Sequence, residues 1–536
     1  MRSRKTNLTN LAERRLDVLI VGGGINGAVA AAALASKGAS VGLIDRGDFA
    51  GFTSQHTSNL AWGGIKYMEN YEFPLVRDLC LSRNALIRSY PSTVREIRFL
   101  TTIPRGFRHR PLTMWLGAWA YWLIGNCFTR PPRRLSRRAV EREEPLIEAS
   151  SGAGFVEYSD AYLHDNDARF VFNFVRTAVD RGATAINYVE SLGARFDGHI
   201  WRTTARDVES GSEFEIESDI LINAAGAFAD EHNDLTGAQS AHRHVYSKGV
   251  HLLVERMTCE RRVLAFFADD GRLFFVIPMG RRTCLGTTDT RVDSPWTEVT
   301  ADDRRFILDN INRRLRLDRP LTQADVIAER CGVRPLAIAK GEKNSGDFLQ
   351  MSRKHAIDMD AQRRHLSIYG GKLTDCINVG EEICERVQSL KVRLPRARYR
   401  WYGEPEGRAK EAYFRQAKRM SLDAFTPADS SEGLTTRYWR RYGAAAIELL
   451  ERIQTDPKDA QVLIEGTEYT RCEIALARQR EMIVKLEDFL RRRSKIALMM
   501  RRHELLAADG LQHACNALFG ATARERFDEY FALDAR

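Results

Sequence analysis

The sequence predicts an α/β fold in which an open parallel sheet is interleaved with an antiparallel layer, followed by an α-helical C-terminal domain. Three observations predict it. A short apolar run, Leu16–Val21, leads directly into a glycine-rich turn; strand-like runs recur much later, at 250–254, 273–277 and 284–286; and beyond about residue 396 strand signals give way to charged helical patterns. At 536 residues the chain exceeds what one hydrophobic core organises. The expected division is a discontinuous unit at 12–395, containing both sheets, and a helical unit at 396–536.

Leu16–Val21 reads as a buried parallel strand, 22–27 as a turn, 28–36 as a helix of small residues closed by Gly38, and 40–44 as a second strand. This β-α-β unit ends in Asp45. The Ser/Thr/Gly-rich stretch 51–64 reads as a loop, and 67–89 carries helical periodicity. Basic, proline-containing stretches at 105–110 and 130–138 flank the apolar segment 112–124, a section expected to lie outside the parallel sheet. Further on, 168–181 suits a helix, 214–222 a strand entering Asn223-Ala-Ala-Gly226, and 366–369 a strand entering Gly370-Gly371 before a helix at 378–390. In the C-terminal unit, 442–453 and 473–490 read as helices.

The hydrophobic fraction of 44% and charged fraction of 28% are those of a globular protein and argue against disorder. A formal charge of +10 is modest for this length, and without a nucleic-acid-binding motif it reads as a solvated surface, so nucleic acid is not an expected partner. The nine cysteines, at 80, 127, 259, 284, 331, 376, 384, 472 and 515, never form Cys-x-x-Cys. Neither a disulfide framework nor a metal site is expected, and a reducing, cytoplasmic compartment fits. Residues 1–15 are polar and basic, unlike a secretory signal, and 112–124 is too short to span a bilayer.

Gly22-x-Gly24-x-x-Gly27 stands between strand and helix, where glycines permit a tight turn and let a pyrophosphate approach the helix N-terminus. Asp45, 18 residues after Gly27, ends the second strand where a carboxylate can accept bonds from a ribose diol. This is a Rossmann-type dinucleotide site, and the unit alone does not separate FAD from NAD. Three further loops favour the longer FAD: 53–58 with Thr53 and Ser54, the turn with Ala225 and Gly226, and Gly371-Lys372-Leu373-Thr374.

Beyond these, the ordered runs Gly22-Gly-Gly-Ile-Asn-Gly-Ala28, Gly63-Gly-Ile-Lys-Tyr67, Tyr71-Glu-Phe73, Lys248-Gly-Val-His251, Leu273-Phe-Phe-Val-Ile-Pro278, Gly286-Thr-Thr-Asp289, Gly332-Val-Arg-Pro335 and Gly370-Gly-Lys-Leu-Thr374 resemble the FAD-dependent, quinone-linked glycerol-3-phosphate dehydrogenases. Arg440-Arg-Tyr-Gly443 and Leu486-Glu-Asp-Phe-Leu-Arg-Arg-Arg-Ser494 resemble that family's helical cap, so the likeness covers roughly 16–520. It implies oxidation of sn-glycerol 3-phosphate to dihydroxyacetone phosphate by hydride transfer to FAD, with electrons passed to a membrane quinone. It also implies Arg334 and Lys372 as catalytic and substrate-binding cations, Lys66 as a further substrate cation, His251 as general base, and Thr287 and Thr288 as hydroxyl contacts.

The segment 112–124, with Trp115, Trp119, Tyr121 and Trp122 between arginines, is read either as a helix lying on the cytoplasmic face of the inner membrane or as one packed in the core. A homodimer is a further expectation. The chain departs from the resemblance at Lys66, where an arginine is usual, and at Asp375-Cys376-Ile377, where Thr-Tyr-Arg is usual, departures that bear on phosphate binding. Two alternatives stay open: an FAD oxidase or dehydrogenase of another hydroxy or amino substrate, and a flavin-binding protein without turnover.

Overall fold

Leu16–Val21 lies at the centre of the first sheet, with Glu213–Asn223 on one side and Val41–Asp45 on the other, both parallel to it. His365–Tyr369 and Thr184–Asn187 extend the parallel set, and Ala356–Asp360 closes one edge antiparallel. The structure is a computed structural model; it describes residues 4–532 apart from 259–261, 269–270, 342–353, 406 and 429. These strands are near-continuous apolar runs because both faces are covered. On one face, Ile25–Lys37 packs between Asp167–Asp180 and Cys376–Ser389. On the other, the antiparallel strands Val189–Phe196 and Trp201–Asp207 fold back over the sheet and bury Trp201.

The polar leader forms a helix, Arg4–Glu13, which the sequence reading left unassigned. Tertiary contacts create it: Leu11 is buried under the sheet, and the Arg4 guanidinium donates to the carbonyls of Asn187 at 2.7 Å and Tyr188 at 3.1 Å.

The second sheet is built on His242–Glu255, which pairs antiparallel with Ala328–Ala339 along most of its length and with Arg282–Gly286 on its other side. Leu273–Met279 and Arg262–Phe267 continue the antiparallel order. Arg262–Phe267 then runs parallel to Val94–Pro104, which pairs with Gly152–Leu163. The basic region around 105–138 therefore belongs to this sheet's far side. Its helix, Pro111–Ile124, turns Ala118 and Tyr121 inward and leaves Leu112, Leu116 and Leu123 more than half exposed.

After Tyr369 the described residues contain helices and no strand. Of the two helices expected there, the one at 442–453 starts later, at Ala446, and the one at 473–490 is broken. Leu434–Tyr442 ends at Gly443, in the left-handed region at φ 55°, before Ala446–Thr455 begins. Arg471–Arg480 stops short of Met482, also left-handed at φ 50°, and the chain resumes as a wide π-helical turn, Asp488–Arg493. Charge placement accounts for this break: Glu481 is buried against Arg169, and its carbonyl accepts from Arg493 at 2.9 Å. Helical periodicity carries no trace of such long-range pairs.

The π-helical turn fastens the C-terminal helices to the first sheet. Asp48 is fully buried; its carboxylate accepts from Arg492 at 2.7 Å and from both terminal nitrogens of Arg493 at 2.7 Å. Burial alone would raise the Asp48 carboxyl, but the two guanidiniums outweigh it and hold it below the usual carboxylate range. Removing one partner of a buried pair strands the other charge, at a cost of about 3–5 kcal/mol. Asp48→Ala is expected to lose roughly that much in urea unfolding and to release FAD during purification; a loss under about 1 kcal/mol would show that the cluster does not hold the two parts together.

Candidate functional site

Two of the motif glycines are required by geometry. Gly22 has φ 107°, and a Cβ there would lie 2.4 Å from the Ala224 carbonyl oxygen. A Cβ on Gly27 would lie 1.8 Å from the Gly22 carbonyl oxygen, so helix Ile25–Lys37 can start against the strand only with glycine at this position. The first helical amide, Ile25 N, donates to Ser54 Oγ at 3.0 Å. Asp45 accepts from the amides of Gly23 at 2.6 Å and Gly47 at 2.8 Å, which fixes its carboxylate beside the turn. Gly22, Gly24, Asp45, Thr53, Ser54, Ala225 and Gly226 line one cavity of about 430 Å³.

Thr53 and Ser54 also line a second cavity, of about 300 Å³, which takes in Lys66, Thr287, Arg334, Gly371, Lys372, Leu373 and Thr374. The pair of cavities therefore runs past the helix N-terminus on both sides of loop 53–58. Gly371, at φ 96°, brings the backbone round at the end of His365–Tyr369, and Asn26 on the nucleotide helix donates to the Gly370 carbonyl at 3.0 Å. Among the described residues, the cations Lys66, Arg334, Lys354 and Lys372 and the carboxylate Asp289 line the second cavity.

The chain belongs to the FAD dependent oxidoreductase family. That family's model matches residues 17–354, and the model for the C-terminal domain of alpha-glycerophosphate oxidase matches 407–526. Among relatives, glycerol-3-phosphate dehydrogenase 2 of Mycobacterium tuberculosis is 29% identical, covering 91% of this chain and 82% of its own length. D-erythritol 1-phosphate dehydrogenase of Brucella abortus is 27% identical, with 92% and 96% covered. The crystal structure of glycerol-3-phosphate dehydrogenase from Bacillus halodurans complexed with FAD has the same fold, at TM-score 0.73 and 23% identity, over 99% of this chain and 96% of that one. FAD is this enzyme's cofactor, and the glycine turn fits it: Gly22 and Gly24 line the cavity that a pyrophosphate would need.

Within this FAD-dependent enzyme the predicted substrate residues fall into two groups. Lys66, Thr287, Arg334 and Lys372 reach the cavity. The Arg334 guanidinium lies against Gly249, where a Cβ would come within 2.3 Å of it, and donates to Thr287 Oγ1 at 2.9 Å, with Asp289 at 3.5 Å. Lys372 holds its ammonium 4.0 Å from the centre of the Tyr67 ring. Thr288 is not at the cavity wall; its hydroxyl is buried and accepts from the Val250 amide at 3.0 Å.

His251 also lies behind the wall. It is 1% exposed, and its Nε2 is 2.8 Å from the hydroxyl of Ser58, which does line the cavity. Burial, and then the charges of Arg330 and Arg334, hold its pKa well below the usual imidazole range, so it is neutral at physiological pH. Sequence reasoning read His56 and Ser58 only as part of the cofactor loop 53–58 and gave Tyr67 and Lys354 no role of their own; all four line the cavity. Tyr67 stood in the run 63–67 already singled out, and Lys354 stood in no motif.

Asp375-Cys376-Ile377 does not reach the cavity. Cys376 and Ile377 are buried in the first turn of Cys376–Ser389. Asp375 Oδ2 is 2.6 Å from His355 Nδ1, while Glu382 lies 3.0 Å from His355 Nε2. The added negative charge is thus directed at an imidazole instead of a substrate. Burial opposes the His355 cation, but the two carboxylates outweigh it and push its pKa up to about 9. A raised histidine pKa adds stability that is complete below about 6.5 and is lost as pH rises through about 9. His355→Gln is expected to cost roughly 2–3 kcal/mol at pH 6 and almost nothing at pH 10, read as the gap between the two unfolding curves. A gap independent of pH would mean that His355 acts through packing alone.

Proposed function

We propose that the enzyme oxidises the C2 hydroxyl of sn-glycerol 3-phosphate, giving dihydroxyacetone phosphate, and passes the electrons to a membrane quinone. The observation that carries this reading is the convergence of Lys66, Arg334 and Lys372 on the second cavity, which suits a phosphate dianion, beside the loop that also borders the dinucleotide cavity. The name of the Mycobacterium tuberculosis relative supports the substrate assignment. FAD supplies the hydride acceptor. Arg334 presents a planar fork, fixed by Thr287 and Asp289, to phosphate oxygens. Lys372 and Lys66 add point charges. Ser58 takes the hydroxyl proton while passing its own to His251 Nε2, whose imidazole is neutral and has the lone pair to accept it, although burial and the Arg330 and Arg334 charges lower its basicity. Asp45 receives the ribose, and the amides at the start of Ile25–Lys37 receive the pyrophosphate.

A four-carbon polyol phosphate is the second reading, favoured by the Brucella relative, 96% of whose length the chain covers. Anaerobic titration of the oxidised flavoprotein separates the two. Bleaching of the flavin band is expected with sn-glycerol 3-phosphate, and Arg334→Met should weaken the apparent affinity at least about tenfold, a loss of 1.4 kcal/mol or more. Faster bleaching by D-erythritol 1-phosphate would install the second reading, and a flavin that neither compound reduces would remove both.

The acceptor side rests on helix Pro111–Ile124. Leu112, Leu116 and Leu123 are exposed to 52%, 55% and 59%, and Arg105, Arg110, Arg130 and Arg134, which flank the helix in sequence, are exposed as well. Tyr121, on the opposite side, anchors the helix by donating to Asp160 at 2.6 Å. Apolar residues flanked by arginine suit the headgroup region of an anionic bilayer. No helix among the described residues is long and apolar enough to cross a membrane. Cosedimentation with vesicles containing phosphatidylglycerol is expected, and the double variant Leu112→Glu, Leu116→Glu should abolish it without loss of FAD. Equal sedimentation of that variant would rule out docking through this face.

A further inference from the structure

A third cavity, of about 580 Å³, lies away from both cavities described above and shares no lining residue with them. Its walls come from helix Asp167–Asp180, from segment 399–405, and from Leu434–Tyr442 with the turn after it. It therefore stands between regions matched by the two family models.

Its charges do not balance. Three guanidiniums, those of Arg176, Arg181 and Arg400, face it, and none has a carboxylate at ion-pair distance among the described residues. Arg176 makes only long contacts, 3.4 Å from each terminal nitrogen to the Arg441 carbonyl. Arg181 donates to the Tyr399 hydroxyl, and Arg400 to Ser89 Oγ at 2.8 Å. The other two arginines of the wall are already neutralised: Arg440 by Asp165 and Glu432, and Arg480 by Glu448 at 2.6 Å. Two carboxylates also line the cavity, Asp180 and Glu404, the latter accepting from the Ser92 amide at 2.7 Å and from the Trp439 indole at 3.3 Å, so the three guanidiniums exceed them by one charge. Burial, and then the charge of Arg169, push the pKa of Arg176 down to about 10, against the opposing pull of Glu481 and Asp180.

Segment 399–405 also supplies aromatic rings, those of Tyr399 and Tyr402 accessible from the cavity and that of Trp401 buried in the core at 4% exposure. The Trp401 and Tyr402 rings meet edge to face at 5.3 Å, and the Arg400 guanidinium lies 5.0 Å from the centre of Tyr402. Guanidinium forks recognise the oxygens of a phosphate dianion, aromatic side chains recognise a planar ring, and the volume is that of a small-molecule site. We propose that this cavity is a binding site for an aromatic phosphate of mononucleotide size, its phosphate held by Arg176, Arg181 and Arg400 and its ring against the 399–405 aromatics.

The test uses the full-length, FAD-loaded protein, so that the cofactor site is already filled, with adenosine 5′-monophosphate as probe and adenosine and inorganic phosphate as controls. Trp401 and Trp439 line the cavity, so tryptophan emission reads occupancy, and the shift in thermal midpoint gives a second signal. Saturable binding of the mononucleotide is expected, with both controls at least about tenfold weaker. Arg176→Met and Arg400→Ser should each weaken it by a similar factor, while FAD content and flavin reduction by sn-glycerol 3-phosphate stay as they were. Arg400 lies near the surface, so its replacement keeps the test valid if Arg176→Met does not fold. The proposal is overturned if no saturable signal appears at millimolar concentration, if either control binds as tightly as the nucleotide, or if both variants bind it unchanged.

Discussion

Everything at the reaction centre depends on how loop 48–59 is held, and it is held by buried charge. The loop separates the two cavities lined by Thr53 and Ser54, yet it contains little regular structure of its own. Arg493 and Arg492 take Asp48; Arg491 donates to the Gln55 carbonyl; Arg330 donates to the Thr57 carbonyl at 2.6 Å and to Asn59 at 2.7 Å; and Asp167 accepts from the Thr57 amide at 2.9 Å. Desolvating so many charges is costly, and the arrangement is stable only because each group meets a counter-charge or a carbonyl at close range. The helical C-terminal part is therefore a structural component of the cofactor site.

Fixed cations also shape the substrate cavity. Arg334 is oriented by Thr287 and by the more distant Asp289, and Lys372 lies against the Tyr67 ring, so both cations are held at the cavity wall where a bound anion would meet them. Gly249 matters for the same reason, since only a residue without a side chain lets the guanidinium lie flat against the strand.

What the sequence disclosed follows from the range of each interaction. The β-α-β unit was legible because backbone sterics at Gly22 and Gly27 and the apolar run before them are local. Arg334 and Lys372 were legible because their glycine neighbours mark places where the backbone comes close to something. The inward turn of Thr288, the screening of His251 by Ser58, and the pairing of Asp375 with His355 depend on segments far apart in the chain, and no spacing rule carries them. The break after Arg480 belongs to this class. Its residues favour helix locally, and the buried pairing of Glu481 with Arg169 overrides that preference.

The interleaving of the two sheets has a consequence for biosynthesis. The first sheet draws strands from residue 16 to residue 369, and the Arg493–Asp48 pair joins positions 445 residues apart. At ribosomal rates of about 5–20 residues per second, Asp48 would wait roughly 20–90 s for its partner. During that interval the nascent chain carries an unneutralised carboxylate at a future core position and open strand edges on both sheets, a state that invites aggregation. Shielding by a chaperone, more than the stability of the finished enzyme, would then limit how much active protein a cell can make.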